Sequence, residues 1–131
     1  MKRIIALGVV LGLALAQGSV YKLKVTDWSC RVVGRDVVAQ GRVLNRSGMT
    51  LRAVRVNLRV VDRTVSQVNG VSSHRVRGTN SGLIQAPRLA NGASSAFVVR
   101  VRPSTTHNVT CQIWFRNPDV VQIPTQVPLP R

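Results

Sequence analysis

The sequence contains no glutamate, and its only acids are four aspartates, Asp27, Asp36, Asp62 and Asp119. General acid–base chemistry needs carboxylates or histidines converging in a pocket. The histidines are two, His74 and His107, and all six groups fall mostly at strand ends or turns. No serine carries a nucleophile motif, and no Gly-rich phosphate loop is present. The expectation is a non-enzyme with no cofactor and no metal. Aromatics are scarce too, at two Trp, two Phe and one Tyr, too few for an extended stacking platform. No stretch after the first sixteen residues sustains a helical period. Arg52, Arg55, Arg59 and Arg63 could stripe a helix, but the residues between them are mostly valine, which prefers strands.

A long apolar run occurs only at the start. Lys2-Arg3, the run Ile4–Leu13 and Ala14-Leu15-Ala16 have the charged, apolar and A-x-A parts of a signal peptide. Cleavage is expected after Ala16, giving residues 1–16 as signal peptide and a secreted or periplasmic protein from Gln17. The run is too short for a stable membrane span, so no span is expected after cleavage. Gln17 in place of cysteine disfavours a lipid anchor.

What is abundant is arginine. Losing Lys2 and Arg3 leaves seventeen of the nineteen basic residues against four acids, a formal +13. One reading is composition and solubility; the other is an anionic partner, since charge argues association and not fold. Cys30 and Cys111 are the only cysteines, and export exposes them to oxidation. One disulfide joining the first and last strands is expected. A metal site using them with His74 and His107 is the alternative, but the spacing matches no close-paired zinc pattern.

Period-two alternation organises the remainder. Val37 to Asp62 reads as a hairpin, with Val37, Ala39, Gly41 and Val43 on one inward face and Val54, Val56, Leu58 and Val60 on the other. Arg42, Arg46, Arg55 and Arg59 then point outward together. Before this hairpin, a parity switch after Asp27 suggests a bulge or a change of sheet. After it, Val65–Val68 and Val71–Arg77 flank the turn dipeptide Asn69-Gly70, as an edge hairpin or a loop. Phe97, Val99 and Val101 face inward in the next strand. The last strong strand is Asn108–Arg116, with Val109, Cys111, Ile113 and Phe115 inward and Trp114 outward beside Gln112 and Arg116. The inward Cys111 agrees with a bond to Cys30. Pro118, Pro124, Pro128 and Pro130 favour an extended tail, lying on the domain, fraying, or docking on a partner. Asn45-Arg46-Ser47 and Asn108-Val109-Thr110 match the glycosylation sequon by chance composition.

The string Gly41-Arg42-Val43-Leu44-Asn45, then Ser47-Gly48, then Val54-x-Val56-x-Leu58 resembles the FxLYD domain of bacterial exported proteins. Leu58-Arg59-Val60-Val61-Asp62 occupies the place of F-x-L-Y-D, and Leu89–Phe97 resembles the family's L-x-P-G-x-S-x-x-F turn and strand, with Asn91 for the proline. The likeness spans about Val37 to Phe115. It implies an all-β, immunoglobulin-like antiparallel β-sandwich of about seven strands, and an interaction role without shared catalytic residues.

The expected organisation is a signal peptide over 1–16, a β-sandwich over 17–116 and a Pro-rich tail over 117–131. The expected function is a non-catalytic envelope or secreted module presenting an Arg-rich sheet face to an acidic protein surface or envelope polymer. The alternative is an exported nucleic-acid or polyanion binder using Arg42, Arg46, Arg55 and Arg59 with Trp114, because an outward Trp among arginines suits single-strand stacking.

Overall fold

The computed structural model describes residues 21–131, so the expected signal peptide lies outside the described residues. The described chain is an all-β sandwich of nine strands: β1 (Leu23–Val33), β2 (Asp36–Asn45), β3 (Leu51–Arg52), β4 (Arg55–Val68), β5 (Val71–Leu83), β6 (Arg88–Leu89), β7 (Ser94–Val101), β8 (Val109–Arg116) and β9 (Thr125–Gln126). One sheet runs β7-β2-β1-β9 and the other β5-β4-β8, while β3 and β6 form a two-residue ribbon. Valine-rich alternation makes these strands, because a branched side chain packs well on a pleated, half-buried surface.

The inward parities agree with the alternation in β2, β4, β7 and β8. Val37, Ala39 and Val43 meet Val56, Leu58 and Val60 across the core, and all six are fully buried. Phe97 of β7 and Phe115 of β8 join the two sheets edge to face, with ring centroids 5.4 Å apart. Such a pair adds roughly 1 kcal/mol beyond its buried area. Cys30 of β1 and Cys111 of β8 are disulfide-bonded from sheet to sheet, with Cα atoms 6.0 Å apart. That bond occupies both thiols, so the alternative of a cysteine metal site is ruled out.

The parity switch in β1 is a register shift between Val25 and Asp27 against β2. The strand stays in one sheet; the extra residue lets both Val25 and Trp28 face the core. Trp28 lies opposite Gly41, where the missing side chain makes room for it.

One expectation is overturned. Val37 to Asp62 is not a hairpin, because β2 pairs with β1 and β7 whereas β4 pairs with β5 and β8. The insert carries the chain from one sheet to the other. Asn45 is fully buried there, and its Nδ2 donates to the carbonyls of Met49 and Leu89, both at 2.7 Å, while its Oδ1 accepts from Ser47 N. The clamp seats the loop on the β6 segment, and Ala53 turns the chain with φ 51°. Alternation cannot distinguish the two arrangements, since a crossing strand and a hairpin strand bury the same parity. The buried Asn45 also removes the first sequon from reach.

Of the two readings offered for this region, the hairpin holds: 63–68 and 71–83 are strand. β4 and β5 continue past the body of the sandwich as one long hairpin, closed by Asn69 at φ 54° and Gly70 at φ 78°, as a type I′ turn requires. At its base, Gly78 passes against β7: a Cβ there would lie 3.1 Å from Pro103 Cα and 3.2 Å from Val101 Cγ2. Asn80 donates to the Arg100 carbonyl and Gln85 N to the Ala96 carbonyl, so β5 closes one open side of the sandwich.

The tail closes the other side. Ile123 N donates to the Phe115 carbonyl at 2.8 Å, and β9 then runs parallel to β1. Further on, Trp28 Nε1 donates to the Pro128 carbonyl at 2.7 Å and Arg131 N to the Trp28 carbonyl at 2.9 Å. The prolines keep this segment extended without demanding ladder donors. The tail lies along the domain.

Candidate interaction face

The three-stranded sheet turns its outer side to solvent through alternate residues of β5, β4 and β8. In register across it stand Ser81, Asn57 and Trp114, flanked by Leu83, Arg55 and Arg116 on one row and Thr79, Arg59 and Gln112 on the other. Arg55, Arg59 and Trp114 of the expected face are therefore brought together. Arg42 is not: it projects from the outer side of the other sheet. It stands opposite Asp27, a cross-strand pairing of unlike charge that is favourable. Arg46 lies beyond the end of β2, where its backbone N donates to the Lys22 carbonyl. The expected four-arginine face thus divides between two opposite surfaces and a loop, as the strand crossing requires.

Within the face the side chains hold one another. The Arg59 guanidinium carbon lies 5.3 Å from the centroid of the Trp114 ring, within cation–π range. Arg59 Nε donates to Gln112 Oε1 at 3.0 Å, which keeps the guanidinium over the indole. Arg55 Nη1 donates to Ser81 Oγ at 3.2 Å, its one side-chain hydrogen bond among the described residues. Asn57 is buried beneath them. A hollow of about 410 Å³ is lined by Arg59, Gln112, Trp114 and Gln122, and a second of about 250 Å³ lies between Arg55 and Arg116.

Two of the four aspartates are held elsewhere by arginines. Asp36 accepts from Arg102 Nε at 2.9 Å and Arg100 Nη1 at 3.1 Å. The Arg102 hydrogen bond first, then the Arg102 charge and the hydrogen bond and charge of Arg100, together hold its carboxyl below its ordinary value against the desolvation of burial. Asp62 is bound by Arg77 through Nε at 2.7 Å and Nη2 at 3.1 Å. That bond lowers the Asp62 carboxyl and raises Arg77. Among the described residues no salt bridge reaches Arg55, Arg59 or Arg116. No three His, Cys, Asp or Glu side chains gather as metal ligands among them either.

Arg116 is the member of the face that sequence reasoning left out. Its outward parity was legible beside Trp114, but its position opposite Arg55 is set by the β4–β8 register. A third hollow, a groove of about 590 Å³ where β5 meets the four-stranded sheet, collects Gln40, Arg42, Ala96, Val98 and Leu83. No sequence signal marked it, because its walls come from three separate strands.

The class defined by fold and face is a disulfide-closed β-sandwich with a basic sheet surface. No family model matches the chain, so the FxLYD resemblance carries no further than the sandwich architecture. No curated protein matches it. Among solved structures, the archaellum periplasmic stator protein FlaG from Sulfolobus acidocaldarius is similar at a TM-score of 0.42 and 17% identity, over 76% of this chain and 92% of that one. A likeness at that level carries no argument about function.

Proposed function

We propose that the chain is a non-catalytic, exported module of the cell envelope whose three-stranded sheet presents Arg55, Arg59, Arg116 and Trp114 to an acidic surface on a protein partner. The observation that carries this reading is the charge of that face: three guanidiniums and no carboxylate opposite or between them in the register. Like charges directly opposed across strands are destabilising, and a partner's carboxylates relieve that cost on binding. The disulfide supports export, because such bonds persist in oxidising compartments.

Nucleic acid suits the face less well. Stacking needs a free aromatic surface, and the Arg59 guanidinium already covers one side of the Trp114 ring. No second aromatic stands in the rows of this face. The decisive experiment pairs cross-linking in an envelope fraction with anisotropy on an unrelated labelled oligonucleotide at about 150 mM salt. The expected result is one acidic partner, lost when Arg55, Arg59 and Arg116 are together changed to Ala, and negligible oligonucleotide binding. Tight oligonucleotide binding that the same variant loses overturns the reading.

A further inference from the structure

Two pairs of arginines stand directly opposite one another on neighbouring strands: Arg52 with Arg88 across β3 and β6, and Arg55 with Arg116 across β4 and β8. Directly opposed side chains have Cβ atoms about 5 Å apart, and like charges there repel. The first pair shares the lining of its hollow with Asp119. Asp119 makes no salt bridge to that pair among the described residues, whereas Arg100 and Arg102 share Asp36 and Arg77 has Asp62 in direct ion pairs. The Arg55–Arg116 pair has no such carboxylate: the hollow of about 250 Å³ between its members is completed by Ala53, Leu83, Asn117 and Pro118.

From this contrast we infer that the hollow between Arg55 and Arg116 is a receptor for a single glutamate side chain of the partner. The inference rests on the proposed function and names the group that the face recognises. Arg55 is half-buried and tethered to Ser81, so its fork is pre-oriented, whereas Arg116 is exposed and free to close from the opposite strand. A carboxylate accepts from two guanidinium forks at once. Leu83 stands opposite Arg55 and is 57% exposed. With Pro118 it gives the hollow an apolar wall on which the methylenes of glutamate can rest. That wall offers nothing to a bare phosphate.

The test follows the arginine Nε–H signals of the disulfide-bonded protein by heteronuclear NMR. The probes are an acetylated, amidated peptide containing Glu-Glu, the same peptide with Gln-Gln, and inorganic phosphate. The expected result is saturable movement of the Arg55 and Arg116 signals with the Glu peptide, none with the Gln peptide, and weaker binding of phosphate. Arg116→Lys keeps the charge but loses the fork, and should weaken the Glu peptide about tenfold, the scale of one charge-assisted hydrogen bond. Arg42→Lys, on the other sheet, should change nothing. Phosphate binding as tightly as the Glu peptide overturns the inference, as does binding indifferent to Arg116→Lys. Absence of any movement at Arg55 and Arg116, with partner cross-linking through the face intact, overturns this inference and leaves the wider reading standing.

Discussion

Gly41 of β2 stands opposite Trp28 of β1, and a Cβ built on that glycine would lie 2.6 Å from the Trp28 Cβ. It would also press on the Asp27 carbonyl, so backbone and not only a flexible side chain obstructs it. The glycine accommodates the bulge that turns Trp28 inward. Gly41→Ala should therefore destabilise the protein by about 3 kcal/mol, the upper range for overpacking a well-filled site. Gly48→Ala is the control: nothing lies within 4 Å of its added Cβ, although its φ of 85° strains any other residue, so a loss of about 1 kcal/mol is expected. Thermal unfolding of the two variants checks the order.

Asn45 leads to a second prediction. Its amide makes three hydrogen bonds in a fully buried place. Asn45→Ala leaves two carbonyls and one amide N–H to find new partners, and each group left unsatisfied costs roughly 1–3 kcal/mol. A total loss of about 3 kcal/mol is expected, with the 46–54 crossing loosened first. Faster amide exchange at Ser47, and at Gly92, whose N donates to the Asn45 backbone carbonyl at 2.7 Å, before the core strands change, would identify that local opening. Unchanged exchange there would show that the clamp does not hold the crossing.

These two residues also show where the sequence was legible and where it was not. Alternation assigned the inward face of β2, β4, β7 and β8, because each strand buries one side and shows the other. It marked the bulge through a change of parity placed after Asp27, although the register shift falls just before it, between Val25 and Asp27, and it marked the Cys30–Cys111 pairing through the inward parity of Cys111. It misjudged the partner of β4, since alternation records which face is buried and not which strand lies alongside. The strand crossing depends on Asn45, whose carbonyl partners Met49 and Leu89 no local pattern marks. The arginine face failed for the same reason: Arg42 and Arg59 share an outward parity but belong to opposite sheets. The strand read from Val71 stopped at Arg77 and so missed Gly78, whose small size is required where it packs against Val101 and Pro103.

The disulfide gives a third prediction. Its cysteines are 81 residues apart in sequence, and closing a loop of that length constrains the unfolded chain by about 4 kcal/mol in the chain-entropy account. Cys30→Ala with Cys111→Ala should lower the denaturant midpoint with little change in the native far-UV spectrum. The midpoint should fall similarly when the wild type is reduced. A midpoint that does not move would mean that the chain-entropy contribution is not realised in this sandwich.

The last prediction concerns acid. Asp36 is held below its usual value of 3.8, first by the Arg102 hydrogen bond, then by the Arg102 charge and by the hydrogen bond and charge of Arg100. Asp62 is held below the same value mainly by Arg77. A carboxyl whose pKa is lower in the folded state binds fewer protons there than in the unfolded chain. Its contribution is therefore fully present above pH 3.8 and is lost as the pH falls through the depressed folded value. Protonation also removes two of the four negative charges in a strongly basic chain, so repulsion grows in the same window. Stability should be nearly flat from neutral pH down to about 5 and decline below about 4. Arg100 and Arg102 are largely exposed although Asp36 is mostly covered, so the Asp36 ion pairs should be partly screened by salt. Asp36→Asn and Asp62→Asn should each reduce the acid slope, because the titrating group is gone, while lowering stability at neutral pH. The discriminating measurement is the denaturant midpoint against pH for wild type and both variants. Parallel curves, displaced but equally steep below pH 4, would show that these two aspartates do not set the acid limit of the fold.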